Sequence, residues 1–128
     1  MIVADTDVLI DFLRGSGDAA ELVAFELDHG ELATTAVTRF ELLAGARSDR
    51  QRAAVVALLD ALVTLPLDAE AADASARVRR DLESQGAGIG MADSLIAGIV
   101  LSRGELLLTR NRKHFERVPG LALSSFRA

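Results

Sequence analysis

The chain reads as an α/β domain built on a parallel sheet. Three observations predict this. Short β-like apolar runs alternate with longer segments of helical pattern. Glycine or proline punctuates many of the joints between them. No internal repeat, low-complexity tract or linker divides the 128 residues, so a single domain over residues 1–128 with one hydrophobic core is expected.

The elements follow in order. Ile2-Val3-Ala4 is the first strand, and residues 7–14 form a short helix that stops at Gly15. Asp18 is placed to cap a second helix, which carries Leu22, Val23, Phe25 and Leu27 and ends at Gly30. Leu32-Ala33-Thr34 is the next strand. Residues 36–46 form a helix with Gly45 near its end, and residues 49–62 form another, with Ala54, Val55, Leu58, Leu59 and Leu62 on one stripe. Val63-Thr64-Leu65 is a strand stopped by Pro66. Asp68 starts a long helix to about Gln85 that carries Arg77, Arg79 and Arg80. Gly86, Gly88 and Gly90 form a flexible connection to a helix over residues 91–103. Glu105 to Leu108 is a strand, and Leu121-Ala122-Leu123 is the last one.

Composition narrows the function. Hydrophobic residues make up 50% and charged residues 26%, an ordinary globular balance. No apolar run reaches the roughly 18–20 residues of a membrane span, and no basic segment precedes a long apolar one as in a secretion signal. A cytoplasmic location and no membrane partner are therefore expected. Cysteine is absent, which excludes thiolate zinc sites, cysteine nucleophiles and disulfides. The net charge of −5 is unevenly spread. Residues 1–37 carry eight acids against Arg14 alone, whereas residues 103–128 carry six basic residues and two acids. The acidic part suits bound cations, and the basic tail suits phosphates.

Three widely separated acids sit in unusual settings. Asp5 follows the first strand, where ligands gather in open α/β sheets; it could equally cap the helix that follows, as could Asp7. Glu41 lies at helical spacing from Val37 and Ala44, an apolar stripe on which a carboxylate costs kilocalories unless paired or metal-bound. Arg39 or Arg47 is its structural alternative partner. Asp93 shares a helix face with Ile96, Ala97 and Val100, and its alternative is a favourable place in the first turn of that helix. Clustered, such acids would repel one another, and a divalent cation removes the penalty. Oxygen ligands suit Mg²⁺ or Mn²⁺, which activate water for in-line phosphoryl displacement.

A second cluster, Thr109-Arg110-Asn111-Arg112-Lys113-His114-Phe115, follows the strand ending at Leu108. Asn111 is placed to orient a metal-bound water or complete the shell. Arg110, Arg112 and Lys113 are candidates for substrate phosphates. His114, beside Phe115 and with no partner visible in the sequence, reads as structural, and His29 as a helix-end residue favoured by the dipole. Gly86-x-Gly88-x-Gly90 lacks dinucleotide-binding spacing, and no Gly-Lys-Ser/Thr phosphate loop exists.

Together these residues resemble the PIN-domain family, and within it the VapC-type toxins of bacterial toxin–antitoxin pairs. The resemblance rests on Asp5-Thr6-Asp7-Val8-Leu9-Ile10, Glu41-Leu42-x-x-Gly45, Ala92-Asp93-x-x-Ile96-Ala97, and Leu108-Thr109-x-Asn111-x-x-His114-Phe115 followed by Val118-Pro119-Gly120-Leu121. It implies a three-layer α/β/α sandwich with a central parallel sheet, and a Mg²⁺- or Mn²⁺-dependent endoribonuclease held inactive by a cognate VapB-type antitoxin, often as a homodimer. Asp5, Glu41 and Asp93 match the family's metal ligands. Thr6 and Thr109 match its small hydroxyl positions, expected near substrate, and Asn111 stands where many members have a fourth acid. One ion held by the three acids is therefore expected, and a second stays open. An apolar groove between the helices at 18–29 and 49–62 is the expected seat of an antitoxin segment. Two other readings stay open: a PIN-like RNA-binding or scaffold protein without catalysis, and a haloacid-dehalogenase-like phosphatase, to whose two-Asp segment Asp5-Thr6-Asp7 is similar, although Val8 departs from it.

Overall fold

Five parallel strands form where the five apolar runs were expected: β1 (Ile2–Ala4), β2 (Leu32–Thr35), β3 (Val63–Leu65), β4 (Leu106–Leu108) and β5 (Ala122–Leu123). The structure is a computed structural model that describes residues 1–125; Arg127, counted above in the basic tail, lies outside the described residues. The sheet order is β3-β2-β1-β4-β5. The chain thus winds outward from β1 in one direction, then crosses back to continue on its other side. The point where the order reverses, between β1 and β4, is where an α/β sheet opens a crevice at the carboxyl ends of its strands.

The helices are α1 (Thr6–Arg14), α2 (Gly17–His29), α3 (Ala36–Gly45), α4 (Asp49–Asp60), α5 (Ala69–Ser84), α6 (Met91–Arg103) and the short α7 (Arg112–Phe115). Most start on a local signal. Thr35 accepts a bond from the Thr38 amide, Ser48 from that of Gln51, and Asp68 from that of Ala71. Gly15 and Gly104 end α1 and α6 in the left-handed conformation that glycine adopts without strain. Two expectations need correction. Ser16, not Asp18, precedes α2, and it makes no side-chain cap bond; Asp18 lies inside the first turn. Helix α7 was not foreseen, because four residues are too few to display a period.

Alternation along β1 divides the core into two. Val3 faces a cluster with Ala33, Leu107, α5 and α6, whereas Ala4 faces one with Leu32, Leu108, α1, α2 and α4. Helices therefore cover both sheet faces, which makes the three layers. Leu9, Leu59, Leu82 and Ile99 are fully buried, each stabilising the fold by about 1.5–3 kcal/mol. Helices α5 and α6 approach closely at Gly98, where an added Cβ would stand 2.5 Å from the Ser75 backbone nitrogen. That close approach packs α6, which carries Asp93 in its first turn, against α5.

Candidate active site

The strands put two side chains at the reversal point. Asp5 directly follows β1 and Thr109 directly follows β4. The Asp5 amide donates to the Leu108 carbonyl at 2.9 Å, which extends the β1–β4 ladder by one rung and sets the two residues side by side. Thr109 Oγ1 donates to Asp5 Oδ2 at 2.7 Å. The Thr6 amide donates to Asp5 Oδ1 at 2.8 Å, so the capping role and a site role coexist in one carboxylate.

Asp5 is only 5% exposed, and among the described residues no Arg or Lys is bonded to it. Burial pushes its carboxyl up to about 7; the bond from Thr109 opposes the rise, and the nearby charges of Asp7 and Asp93 add to it. Asp7 is raised as well, again chiefly by burial. A carboxylate in this state lacks a countercharge, which is the electrostatic signature of a cation site.

The helices bring the other two acids to the same crevice. Glu41, on α3, accepts a bond from Thr6 Oγ1 at 2.7 Å, and the same hydroxyl lies 3.0 Å from Thr38 Oγ1. Asp93, in the first turn of α6, has its Oδ2 3.4 Å from His114 Nδ1. His114 Nδ1 in turn lies 2.8 Å from the Asn111 side-chain amide, and the Asn111 backbone amide donates to Thr109 Oγ1 at 3.0 Å. One continuous run of contacts, Glu41–Thr6–Asp5–Thr109–Asn111–His114–Asp93, thus ties the three acids together. Among the described residues, no group of three or more His, Asp or Glu side chains is drawn close enough to hold a metal ion as it stands.

Several expectations change. The stripe argument for Glu41 fails: Val37 is half-buried and Ala44 is exposed, and Arg39 reaches Thr64 instead. The desolvated acid is Asp5. Thr109 is fully buried, so it supports Asp5 and is no substrate contact. Thr6 is committed to Glu41 in the same way. Of the three cations, Arg110 pairs with Asp11 at 2.8 Å and Arg112 donates to the Ser124 carbonyl at 2.8 Å. Lys113 is exposed and makes no ion pair among the described residues. His114 does have partners, contrary to its reading as a lone structural residue. His29 donates through Nδ1 to the Phe25 carbonyl and stacks on its ring, far along the chain from the acids. Buried Thr38 was missed; its signal is Thr35-x-x-Thr38, a hydroxyl cap at a strand end with a second hydroxyl on the capped residue three positions on.

The expected groove between α2 and α4 is not where the structure opens: Val23 of α2 and Val55, Leu58 and Leu59 of α4 are buried in the core. A groove of ≈ 290 Å³ opens instead between α1, α3 and α4, lined by Ile10, Leu13, Leu42, Ala46 and Val55 and reaching Glu41.

Comparison with known proteins agrees with this fold. The family model for the PIN domain matches residues 2–121. The chain is a PIN domain of the VapC family. It is 37% identical over 122 residues to "Ribonuclease VapC19" of Mycobacterium tuberculosis, covering 94% of this chain and 97% of that one. It is 33% identical over 121 residues to "tRNA(fMet)-specific endonuclease VapC" of Shigella flexneri, covering 91% of each. The PIN domain in a DNA-bound VapBC crystal structure from Salmonella typhimurium superposes with a TM-score of 0.86 at 27% identity, over 98% of this chain and 97% of that one. PIN-domain ribonucleases are in general metal-dependent. Among the described residues, no helix of this PIN domain is long and apolar enough to cross a membrane.

Proposed function

We propose that the crevice at the carboxyl ends of β1 and β4 cuts RNA with a divalent metal, Mg²⁺ or Mn²⁺, held by Asp5, Glu41 and Asp93. The chain is a VapC-type toxin and an endoribonuclease, built as one nuclease domain. The observation that carries the site assignment is Asp5: a buried carboxylate with no cationic side chain bonded to it among the described residues, raised to about 7 by its burial. The donor set fits the ion in chemistry, being carboxylate oxygen alone with no cysteine in the chain. When bound, the ion supplies Lewis-acid chemistry, lowering the pKa of water and offsetting charge on the phosphate.

The protein's own groups do the rest. Thr109 and the Thr6 amide each hold one oxygen of Asp5, so the carboxylate cannot rotate. Thr6 turns Glu41 toward Asp5. Lys113, exposed beside Asn111, is the side chain available to draw in a substrate phosphate. Arg110 and Arg112 already bind within the protein and contribute mainly to the local field. Asn111 acts through His114 rather than as a fourth acid. The substrate is single-stranded or looped RNA, and tRNA(fMet), named for the Shigella relative, is the first RNA to assay. The chain works in the cytoplasm, as a homodimer, under control of a VapB-type antitoxin. The α1–α3–α4 groove receives that partner, since it is apolar and ends at Glu41.

A non-cleaving, RNA-binding or scaffold role has one observation in its favour, the open spacing of the three acids. The phosphatase reading has none. Analysis of product ends separates the outcomes. Metal-assisted hydrolysis leaves 5′-phosphate and 3′-hydroxyl ends; cyclic phosphate ends would reject it, and intact RNA with no rise in Tm on adding Mn²⁺ would favour the scaffold.

A further inference from the structure

The proposed reaction gives one side chain of the site no contact with ion or substrate. His114 is the link that joins Asp93 to Asn111, and its position is closely fixed. Phe115, its neighbour on α7, is fully buried. Asn111, which precedes α7, is tied through its backbone amide to Thr109 Oγ1. The imidazole is therefore presented to Asp93 from a firm base, with 44% of the side chain still open to solvent.

Its Nδ1 stands 2.8 Å from the Asn111 amide and 3.4 Å from Asp93 Oδ2. Two tautomers are available to a neutral ring. With the proton on Nε2, Nδ1 accepts from Asn111 but turns its lone pair toward a carboxylate oxygen, which is repulsive. With the proton on Nδ1, the N–H donates to Asp93 and to the Asn111 amide oxygen, after a half-turn of that amide that leaves its shape unchanged. Only the second arrangement satisfies all three groups. It also gives Asn111 a reason to be an amide: it accepts from the ring without adding a negative charge beside Asp93.

We propose that His114 is a positioning residue that holds the Asp93 carboxylate and the Asn111 amide through its Nδ1–H, fixing Asp93 for metal binding. This rests on the metal site proposed above. The logic is that of outer-shell imidazole–carboxylate pairs, in which the outer partner sets the orientation and basicity of the ligand. The ring does not need to change its protonation or touch substrate.

Two variants separate positioning from packing. His114→Leu keeps bulk and removes the donor; His114→Asn places an amide N–H near the Nδ1 position. Calorimetry with Mn²⁺ on the metal-free protein, without RNA, is the primary measurement. His114→Leu is expected to weaken Mn²⁺ binding by about ten- to a hundredfold. It should lower kcat by a similar factor while KM for RNA stays within about twofold. His114→Asn is expected to recover most of the Mn²⁺ affinity, and ¹⁵N NMR of the wild type should place the proton on Nδ1. Wild-type Mn²⁺ binding that His114→Leu leaves unchanged, an Asn variant no better than the Leu variant, or a proton on Nε2 would each overturn this inference alone. A wild type that binds no Mn²⁺ would overturn the metal reading and this inference with it.

Discussion

The two halves of the site are built differently. The strand-borne half, Asp5 with Thr109, is buried, and backbone hydrogen bonding between β1 and β4 holds it in register. The helix-borne half, Glu41 and Asp93, is half-exposed, and each of its acids rests on a single side-chain contact, with Thr6 and His114 respectively. One half is buried and electrostatically strained; the other is open to solvent. The buried carboxylate carries the desolvation cost, and the half-exposed ones lie where water can solvate them. Electrostatic strain concentrated at a functional site is the usual pattern, with the surrounding fold stable enough to bear it.

The largest expected contrast comes from removing charge in each half. Asp5→Asn and Glu41→Gln should both reduce RNA cleavage by about a thousandfold or more, as expected when a ligand to the catalytic ion is lost. Their stabilities should diverge. The folded Asp5 carboxyl titrates at about 7 against an ordinary 3.8. Its contribution to stability is therefore fully present below 3.8 and is lost as pH rises toward 7, at a cost on the order of 4 kcal/mol above that. Metal-free Asp5→Asn should thus melt several degrees higher than wild type at pH 8, with the advantage shrinking toward pH 5. Glu41→Gln removes a charge from a half-exposed position that water reaches, and is expected to change Tm little at either end of that range. Melting curves between pH 5 and 8 check this, and equal behaviour of the two variants would erase the distinction between the halves.

The same contrast explains what was legible in the sequence. All five strands and six of the described helices announce themselves through apolar runs, periodicity and caps, because those signals are local. The acids too could be chosen locally, from strand ends and helix starts. Their burial could not. Glu41 was expected to be the desolvated acid from its neighbours at helical spacing, yet Ala44 turned out to be exposed, and the cost falls on Asp5. Whether a helix face meets the core depends on what packs against it, and that is long-range. Thr109 was placed near substrate because it matches a small hydroxyl position of the family the chain resembles; here the β1–β4 rung buries it against Asp5. The partner of His114 lies 21 residues back in the chain, beyond any local pattern.

An intermediate effect is expected from the two hydroxyls. Thr109→Val preserves volume but leaves Asp5 Oδ2 and the Asn111 amide without their partner in a buried place. Activity should fall by about ten- to a hundredfold, and stability by about 1–3 kcal/mol. Thr6→Val acts on the open half, where Glu41 can be rehydrated, and should cost no more than about tenfold in activity and about 1 kcal/mol in stability. Steady-state kinetics and denaturant melts on the pair test the order. If Thr6→Val proves the more damaging, the helix-borne half is the more constrained one after all.

The smallest effect concerns the cations beside the buried half. Arg110 and Lys113 are both exposed and three residues apart, yet only Arg110 is paired, through Nε to Asp11. A guanidinium already neutralised by a carboxylate offers little to a phosphate, because meeting one would require breaking an existing bond. Lys113 has no such competitor among the described residues. Lys113→Ala should therefore raise KM for RNA by a factor of about three to ten with kcat unchanged, and should reduce the salt dependence of binding by about one phosphate contact. Arg110→Ala should alter KM by less than about twofold, since a surface ion pair contributes little on its own. Titrating binding against salt for both variants distinguishes them: equal losses of slope would mean that Arg110 leaves Asp11 when RNA arrives, and that the strand-borne side of the site rearranges on binding as freely as the helix-borne side.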